Sequence, residues 1–159
     1  MKEYKQINRV MGQVLKDFQI SYNPSKTPSF TNFLDDKLSV VNTISGGVSF
    51  KFYEELKTLA PFTEEEWASY LGLSTKSLQR HRKEEGFKFK PIHSEKLIEF
   101  AEVIYKSYEV LENRTKVNAW LGSKAFSLGN LSPKELLKTS YGKDLLLAEL
   151  SKIDHGLFA

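Results

Sequence analysis

Three helix starts carry the same local pattern, and this recurrence restricts the possible folds more than any other feature of the chain. In a capping box, a Ser or Thr side chain accepts a hydrogen bond from the amide three residues later, and a Glu side chain there accepts one from the amide of the cap residue. A hydrophobic staple pairs the residue before the cap with the residue four after it. Thr63 and Ser132 have both features, and Ser74 has the cap and the staple without the Glu. The pattern predicts helices that begin after these three residues.

Apolar spacing extends the helical prediction from residue 49 to the end of the chain. One stripe steps by 4, 3, 4 and 3 along Leu97, Ala101, Ile104, Tyr108 and Leu111. The last helix is expected to begin after a glycine, in GKDLLLAELSKI, and to end at the glycine of DHG, because glycine suits the position that follows a helix. With 40% hydrophobic residues the chain can bury a core. We predict an all-α fold.

The sequence signals for secondary structure are mixed in the N-terminal part. Residues 1–20 have amphipathic helical spacing, and YNPSKTPSFTNF, with two prolines and many hydroxyls, is typical of a linker. Residues 38–50 contain the β-favouring run SVV before a Gly-Gly pair. We therefore interpret residues 1–45 as a variable N-terminal helix and linker.

A helix-turn-helix is predicted where two helical patterns meet at Gly72. This motif needs a small residue in its first helix, a residue that tolerates positive φ in its turn, and apolar residues that lock the pair. Ala68 and Gly72 meet the first two needs, and Leu71, Leu73 and Leu78 meet the third.

The second helix of this pair is basic on its outward face. Residues 76–90 contain six Lys or Arg against two Glu, a local charge of +4 in a chain whose net charge is +3. Charged helix faces are often simply solvated, but the concentration here favours DNA, with Arg80 and Gln79 suited to base edges and Lys76 and Lys83 to phosphates. His81 is expected to pack or to contact phosphate. The candidate DNA-binding residues are Ser74, Thr75, Lys76, Gln79, Arg80, Arg82 and Lys83.

No motif for catalysis appears. The chain has no cysteine, and its three histidines lack metal-binding spacing. HExxH, GxSxG and P-loop patterns are missing. We expect a protein that is not an enzyme and binds no cofactor or metal. With no apolar run near the ~20 residues of a membrane span and no signal-like start, a cytoplasmic location and no membrane partner are expected.

The segment AWLGSKAFSLGNLSPKELLKTSYGKDLLLAELSKIDHGLFA resembles the C-terminal domain of the Xre/MbcA/ParS antitoxins. GVSFKFYEEL, the helix-turn-helix and SEKLIEFAEVIYKSYEVL resemble the family's N-terminal half in order and spacing. The resemblance covers about residues 44–159. The matching C-terminal residues are Ala119, Trp120, Leu121, Leu128, Gly129, Pro133, Leu136, Leu137, Thr139, Gly142, Leu150, Ile153 and Gly156.

The resemblance implies a two-part type II antitoxin. Residues 46–112 would form an Xre-like DNA-binding and dimerisation domain that represses its own operon on double-stranded operator DNA. Residues 113–159 would form a small helical domain that binds a RES-domain toxin, an enzyme that consumes NAD or transfers ADP-ribose. A homodimer, and a hetero-oligomer with the toxin, are the expected assemblies.

In that family the C-terminal end lies over the toxin's active-site entrance. The corresponding toxin-binding residues here are His155, Gly156, Leu157, Phe158 and Ala159. Two large apolar side chains near a chain end are exposed unless something covers them, either a partner or the protein's own last helix.

The sequence departs from the family pattern in two places. The turn GFKFKPIHS after the second helix is longer and more basic, and His81 stands where the family usually has a basic residue. A stand-alone dimeric helix-turn-helix regulator, or an interaction protein that has lost DNA binding, are the alternatives.

Overall fold

The computed structural model describes residues 30–156. Over this range the chain is helical, as predicted from the sequence. Its β-structure within these residues is limited to isolated β-bridges. None of the helices within it is long and apolar enough to cross a membrane. The helix expected over residues 1–20 and the terminal residues Leu157, Phe158 and Ala159 lie outside the described residues.

The α-helices are α1 (Phe30–Asp35), α2 (Lys37–Gly46), α3 (Phe50–Lys57), α4 (Glu64–Leu71), α5 (Thr75–Arg82), α6 (Pro91–Leu111), α7 (Arg114–Gly122), α8 (Pro133–Leu136) and α9 (Ser140–Asp154), with a 3-10 turn at Phe126–Leu128.

The marked helix starts are confirmed. At α4, the Glu66 amide donates to the Thr63 hydroxyl at 3.1 Å and the Thr63 amide donates to the Glu66 carboxylate at 2.9 Å. Phe62 and Trp67 form the staple, with ring centroids 5.5 Å apart. Ser132 forms the same capping box at α8, and Ser74 caps α5. These local bonds set where the helices begin.

Helix α6 lies at the centre of the fold. Leu97, Ala101, Ile104 and Tyr108 of the predicted stripe are buried, and α2, α4, α7 and α9 all pack against this helix. The Tyr108 hydroxyl donates to the Leu59 carbonyl at 3.0 Å, which satisfies a polar group inside the core. Helices from both of the halves expected from the sequence therefore pack against this one helix, which itself belongs to the first half. The boundary placed at residues 112/113 falls where α6 ends and α7 begins.

The segment before residue 46 differs from the sequence interpretation. Residues 37–46 are helical, with Asp36 as the N-cap, although SVV favoured a strand. Phe30 and Phe33, at the end of the expected linker, are buried, and the Phe30 ring lies 5.4 Å from that of Tyr105 on α6. The linker prediction is wrong for residues 30–33, because this burial outweighs the loop-like composition. The boundary at residues 45/46 falls within α2.

The last helix begins earlier than predicted. It begins at Ser140, and the Thr139 hydroxyl caps it by accepting a hydrogen bond from the Gly142 amide at 3.0 Å. Gly142 is buried in the first turn, and a Cβ there would lie 1.7 Å from the Leu136 carbonyl oxygen. Its role is therefore to let the end of α8 approach α9 closely, and it does not precede the helix.

Candidate nucleic-acid interface and C-terminal surface

The turn of the helix-turn-helix has the expected geometry. Gly72 has φ of +68° and ψ of 32°, a left-handed conformation that favours glycine. The Leu73 amide donates to the Ala68 carbonyl at 2.9 Å, which closes the end of α4. Ala68 and Leu78 are buried between the two helices and the core. These contacts fix the orientation of α5 relative to α4.

Four of the candidate DNA-binding residues form an open polar face on α5. Lys76, Gln79, Arg80 and Lys83 are exposed, and within the described part of the chain their side chains make no hydrogen bond or ion pair. Lys83 is the C-cap residue that directly follows Arg82, the last residue of α5. Long, unpaired cationic and amide side chains on one protruding helix can reach a DNA groove without breaking contacts inside the protein.

Ser74 and Thr75 have a different position, at the start of α5. The Ser74 hydroxyl accepts the Ser77 amide at 3.0 Å and donates to the Ser77 hydroxyl at 2.9 Å, so its hydrogen bonds serve the cap. Thr75 is half-buried. Ser74 therefore caps the first turn of α5, and Thr75 is the first residue of that turn.

Arg82 is held against the protein by three contacts. Its guanidinium lies 3.1 Å from a Glu64 carboxylate oxygen and 3.5 Å from one of Glu54, and its central carbon lies 5.9 Å from the centre of the Phe50 ring. These partners belong to α3 and α4, whereas the free cations of α5 point outward. The geometry gives Arg82 a role in fixing α5 on the core.

Replacing Arg82 by alanine is expected to lower stability slightly and to affect DNA binding less than the loss of Arg80. The side chain is 40% exposed, so the free energy of unfolding should fall by no more than about 1 kcal/mol. Thermal unfolding and gel retardation, with Arg80→Ala beside it, measure the two effects. A loss of DNA affinity as large as that of Arg80→Ala would show that Arg82 contacts DNA directly.

Two histidines make contacts that stabilise the helix-turn-helix. The His81 ring stacks on Phe87 with centroids 3.9 Å apart and planes at 16°, the packing role that was one of its two expected roles. His93 on α6 donates from Nδ1 to the Leu71 carbonyl at 2.8 Å and so satisfies the end of α4. Burial lowers the pKa of His93, and the charges of Lys90 and Lys96 lower it further. This contact could not be predicted from local sequence patterns, since its two residues are 22 positions apart.

The C-terminal segment exposes large apolar side chains that the sequence analysis missed. Phe126 is 90% exposed, Tyr141 86% and Leu145 53%. Tyr141 and Leu145 are four residues apart on α9, whose opposite face buries Leu146 and Leu150. We call Phe126, Tyr141 and Leu145 the apolar surface.

A hydrogen bond places the turn that carries Phe126 beside this face of α9. The Ser127 hydroxyl donates to the Glu149 carboxylate at 3.0 Å, and Glu149 follows Leu145 by one helical turn. Of the five candidate toxin-binding residues, the structure describes His155 and Gly156, both exposed. His155 donates from Nδ1 to the Ser151 carbonyl at 2.7 Å, and Gly156 has φ of +68°, so both belong to the end of α9.

Comparison with known proteins agrees with this architecture. Residues 39–102 match the model of the Antitoxin Xre-like helix-turn-helix domain, a range that runs from α2 to the middle of α6. The chain is also similar to Antitoxin Xre of Yersinia enterocolitica, with 26% identity over 121 residues that cover 76% of this chain and 81% of the relative. The two matches support an Xre-type antitoxin. Within the helical range 30–156, residues 39–102 thus form an Xre-like antitoxin helix-turn-helix domain.

Proposed function

We propose that the protein is the antitoxin of a type II toxin–antitoxin pair, which binds and blocks a RES-domain toxin and represses its own operon. The observation that carries the proposal is the extent of the similarity to Antitoxin Xre. It spans 121 residues of this chain, so it must continue past residue 102, where the helix-turn-helix domain ends. Similarity that continues beyond the DNA-binding module favours an antitoxin over a regulator that shares only that module.

The DNA-binding half of the proposal rests on the outward face of α5. Arg80 and Gln79 are suited to guanine and adenine edges in the major groove, and Lys76 and Lys83 to the flanking phosphates. Arg80 and Lys83 lie one turn apart toward the end of the helix, which is free of protein partners on this side within residues 30–156. We propose that residues 46–112 serve DNA binding and dimerisation, and that the homodimer places two such helices on a palindromic operator.

The toxin-binding half rests on the C-terminal segment, residues 113–159. An aromatic side chain that is 90% exposed gains nothing in an isolated protein, and exposed aromatic residues are enriched where proteins bind one another. The apolar surface and the end of α9 lie on the same C-terminal unit. We propose that a RES-domain toxin is held by the apolar surface and by His155, Gly156, Leu157, Phe158 and Ala159.

Truncation after Ile153 is expected to abolish toxin neutralisation and to leave DNA binding intact, because α5 and its supports are untouched. The measurement is growth of cells that express a RES-domain protein, which the proposal expects the adjacent gene to encode, with gel retardation of the upstream DNA in parallel. If the truncated chain still rescues growth, the five terminal candidate residues are not needed for the toxin contact.

A single substitution tests the apolar surface independently of the tail. Phe126→Ser should weaken rescue and co-purification with the same RES-domain protein, whereas Leu38→Ser provides a matched control. Leu38 is 70% exposed but lies on α2, in the N-terminal part of the fold. Equal effects of the two substitutions would mean that the apolar surface has no specific role.

A further inference from the structure

We infer that residues 87–90, between α5 and α6, form a second DNA contact, in which Lys88 and Lys90 bind backbone phosphates beside the groove read by α5. We call these four residues the strap. The inference rests on the proposed DNA binding and extends it to a segment outside the helix-turn-helix.

Aromatic packing anchors the strap to the core. Phe89 is buried, and its ring stacks on that of Phe50 with centroids 5.8 Å apart and planes at 15°. The Phe87 ring meets the Phe89 ring edge-on at 5.0 Å and stacks on His81 of α5. The strap is therefore tied both to the core and to the helix that would enter the groove.

Backbone hydrogen bonds hold the strap in an extended form. The Phe89 amide donates to the Val48 carbonyl at 2.9 Å, and Ser49 and Lys88 form an antiparallel bridge. The buried Ser94 hydroxyl donates to the Phe89 carbonyl at 3.2 Å and accepts the Val48 amide at 3.0 Å. The chain also approaches so closely at Gly47, with φ of +80°, that a Cβ there would lie 2.3 Å from the Phe89 carbonyl oxygen.

This arrangement leaves two cations directed outward. Successive side chains of an extended segment alternate in direction, so Phe87 and Phe89 face inward while Lys88 and Lys90 face solvent. Neither lysine side chain has a hydrogen bond or ion pair with residues 30–156. Their backbone positions are about 6.6 Å apart, which lets the two ammonium groups engage separate phosphates of one strand.

The strap continues the basic face of α5. Lys90 and Arg80 line the same cleft, of about 200 Å³, together with Ser77, His81 and His93. Burial is the main cause of the lowered pKa of His93, and the positive charges of Lys90 and Lys96 lower it further. The nearby carboxylate of Glu84 lies 3.4 Å from the Nδ1 atom of His81. A DNA strand that contacts Arg80 would therefore meet Lys90 next.

The test compares salt dependence for two double variants. Lys88→Gln with Lys90→Gln should reduce the slope of log K against log salt by about 1.8, since each lost phosphate contact contributes ~0.9. Lys138→Gln with Lys152→Gln, two exposed lysines of the C-terminal segment, should leave the slope unchanged. The probes are a duplex of the region upstream of the gene and a random duplex of equal length. Their affinity ratio should stay constant, because phosphate contacts carry no sequence information.

The outcomes separate this inference from the proposed function. An unchanged slope in the strap variant, or an equal change in the control, overturns the strap contact while leaving DNA binding by α5 in place. A changed affinity ratio would mean that the lysines read bases, and this also overturns the phosphate role. If the unmodified protein retards neither duplex at low salt, the proposed DNA binding fails and the strap contact fails with it.

Discussion

Replacing Gly142 by alanine is expected to lower the free energy of unfolding by about 2–4 kcal/mol. Alanine usually stabilises a helix by ~1 kcal/mol relative to glycine, so helix propensity alone predicts the opposite sign. The contact decides it, because the new Cβ would lie 1.7 Å from the Leu136 carbonyl oxygen, a backbone atom that cannot rotate away. Helices α8 and α9 would have to separate, and the apolar surface would shift with them.

Gly122→Ala is the matched control for this change. Gly122 also lies in a helix of the C-terminal segment, but a Cβ there meets no atom within 4 Å. Its stability should be unchanged or rise by up to ~1 kcal/mol. Urea or thermal unfolding of the two variants measures the difference. Equal stability of both would mean that the close approach of α8 to α9 is not needed.

Replacing Arg80 by alanine is expected to cost about 1–3 kcal/mol of DNA affinity, roughly a 5- to 150-fold loss, and to relax discrimination at one base pair. Arg80 is exposed on α5 and makes no hydrogen bond or ion pair within the described part of the chain, so its loss should not affect folding. Gel retardation against a set of singly substituted upstream duplexes measures both effects.

Two controls define the role of Arg80. Lys152→Ala removes an exposed cation from α9 and should leave DNA affinity unchanged. Lys83→Ala should weaken binding evenly across sequences and reduce the salt slope by about 0.9. If Arg80→Ala behaves like Lys83→Ala, with no change in discrimination, then Arg80 contacts phosphate and does not read a base.

Features set by neighbouring residues could be predicted from the sequence. Capping boxes and staples act within five residues, so the starts of α4, α5 and α8 were predicted correctly. The left-handed turn at Gly72 and the buried stripe of α6 follow from equally local rules. The all-helical fold and the helix-turn-helix followed from these signals.

Features that depend on distant contacts could not be predicted in this way. Gly142 was expected to precede a helix, and only the position of Leu136 on α8 shows that it is a site of close approach. The sequence pattern does not distinguish Arg82 from Arg80. Only the folded structure brings Glu54 and Glu64 beside Arg82. The exposure of Phe126 had no sequence signal either, because an apolar residue in a loop is more often packed.

The proposal that this chain neutralises a toxin is tested most directly by co-expressing it with the RES-domain protein that the adjacent gene is proposed to encode. We predict that growth is restored and that the two proteins co-purify as one complex. If growth stays arrested and no complex forms while the chain still retards its upstream DNA, the protein is a stand-alone helix-turn-helix regulator and the antitoxin proposal is wrong.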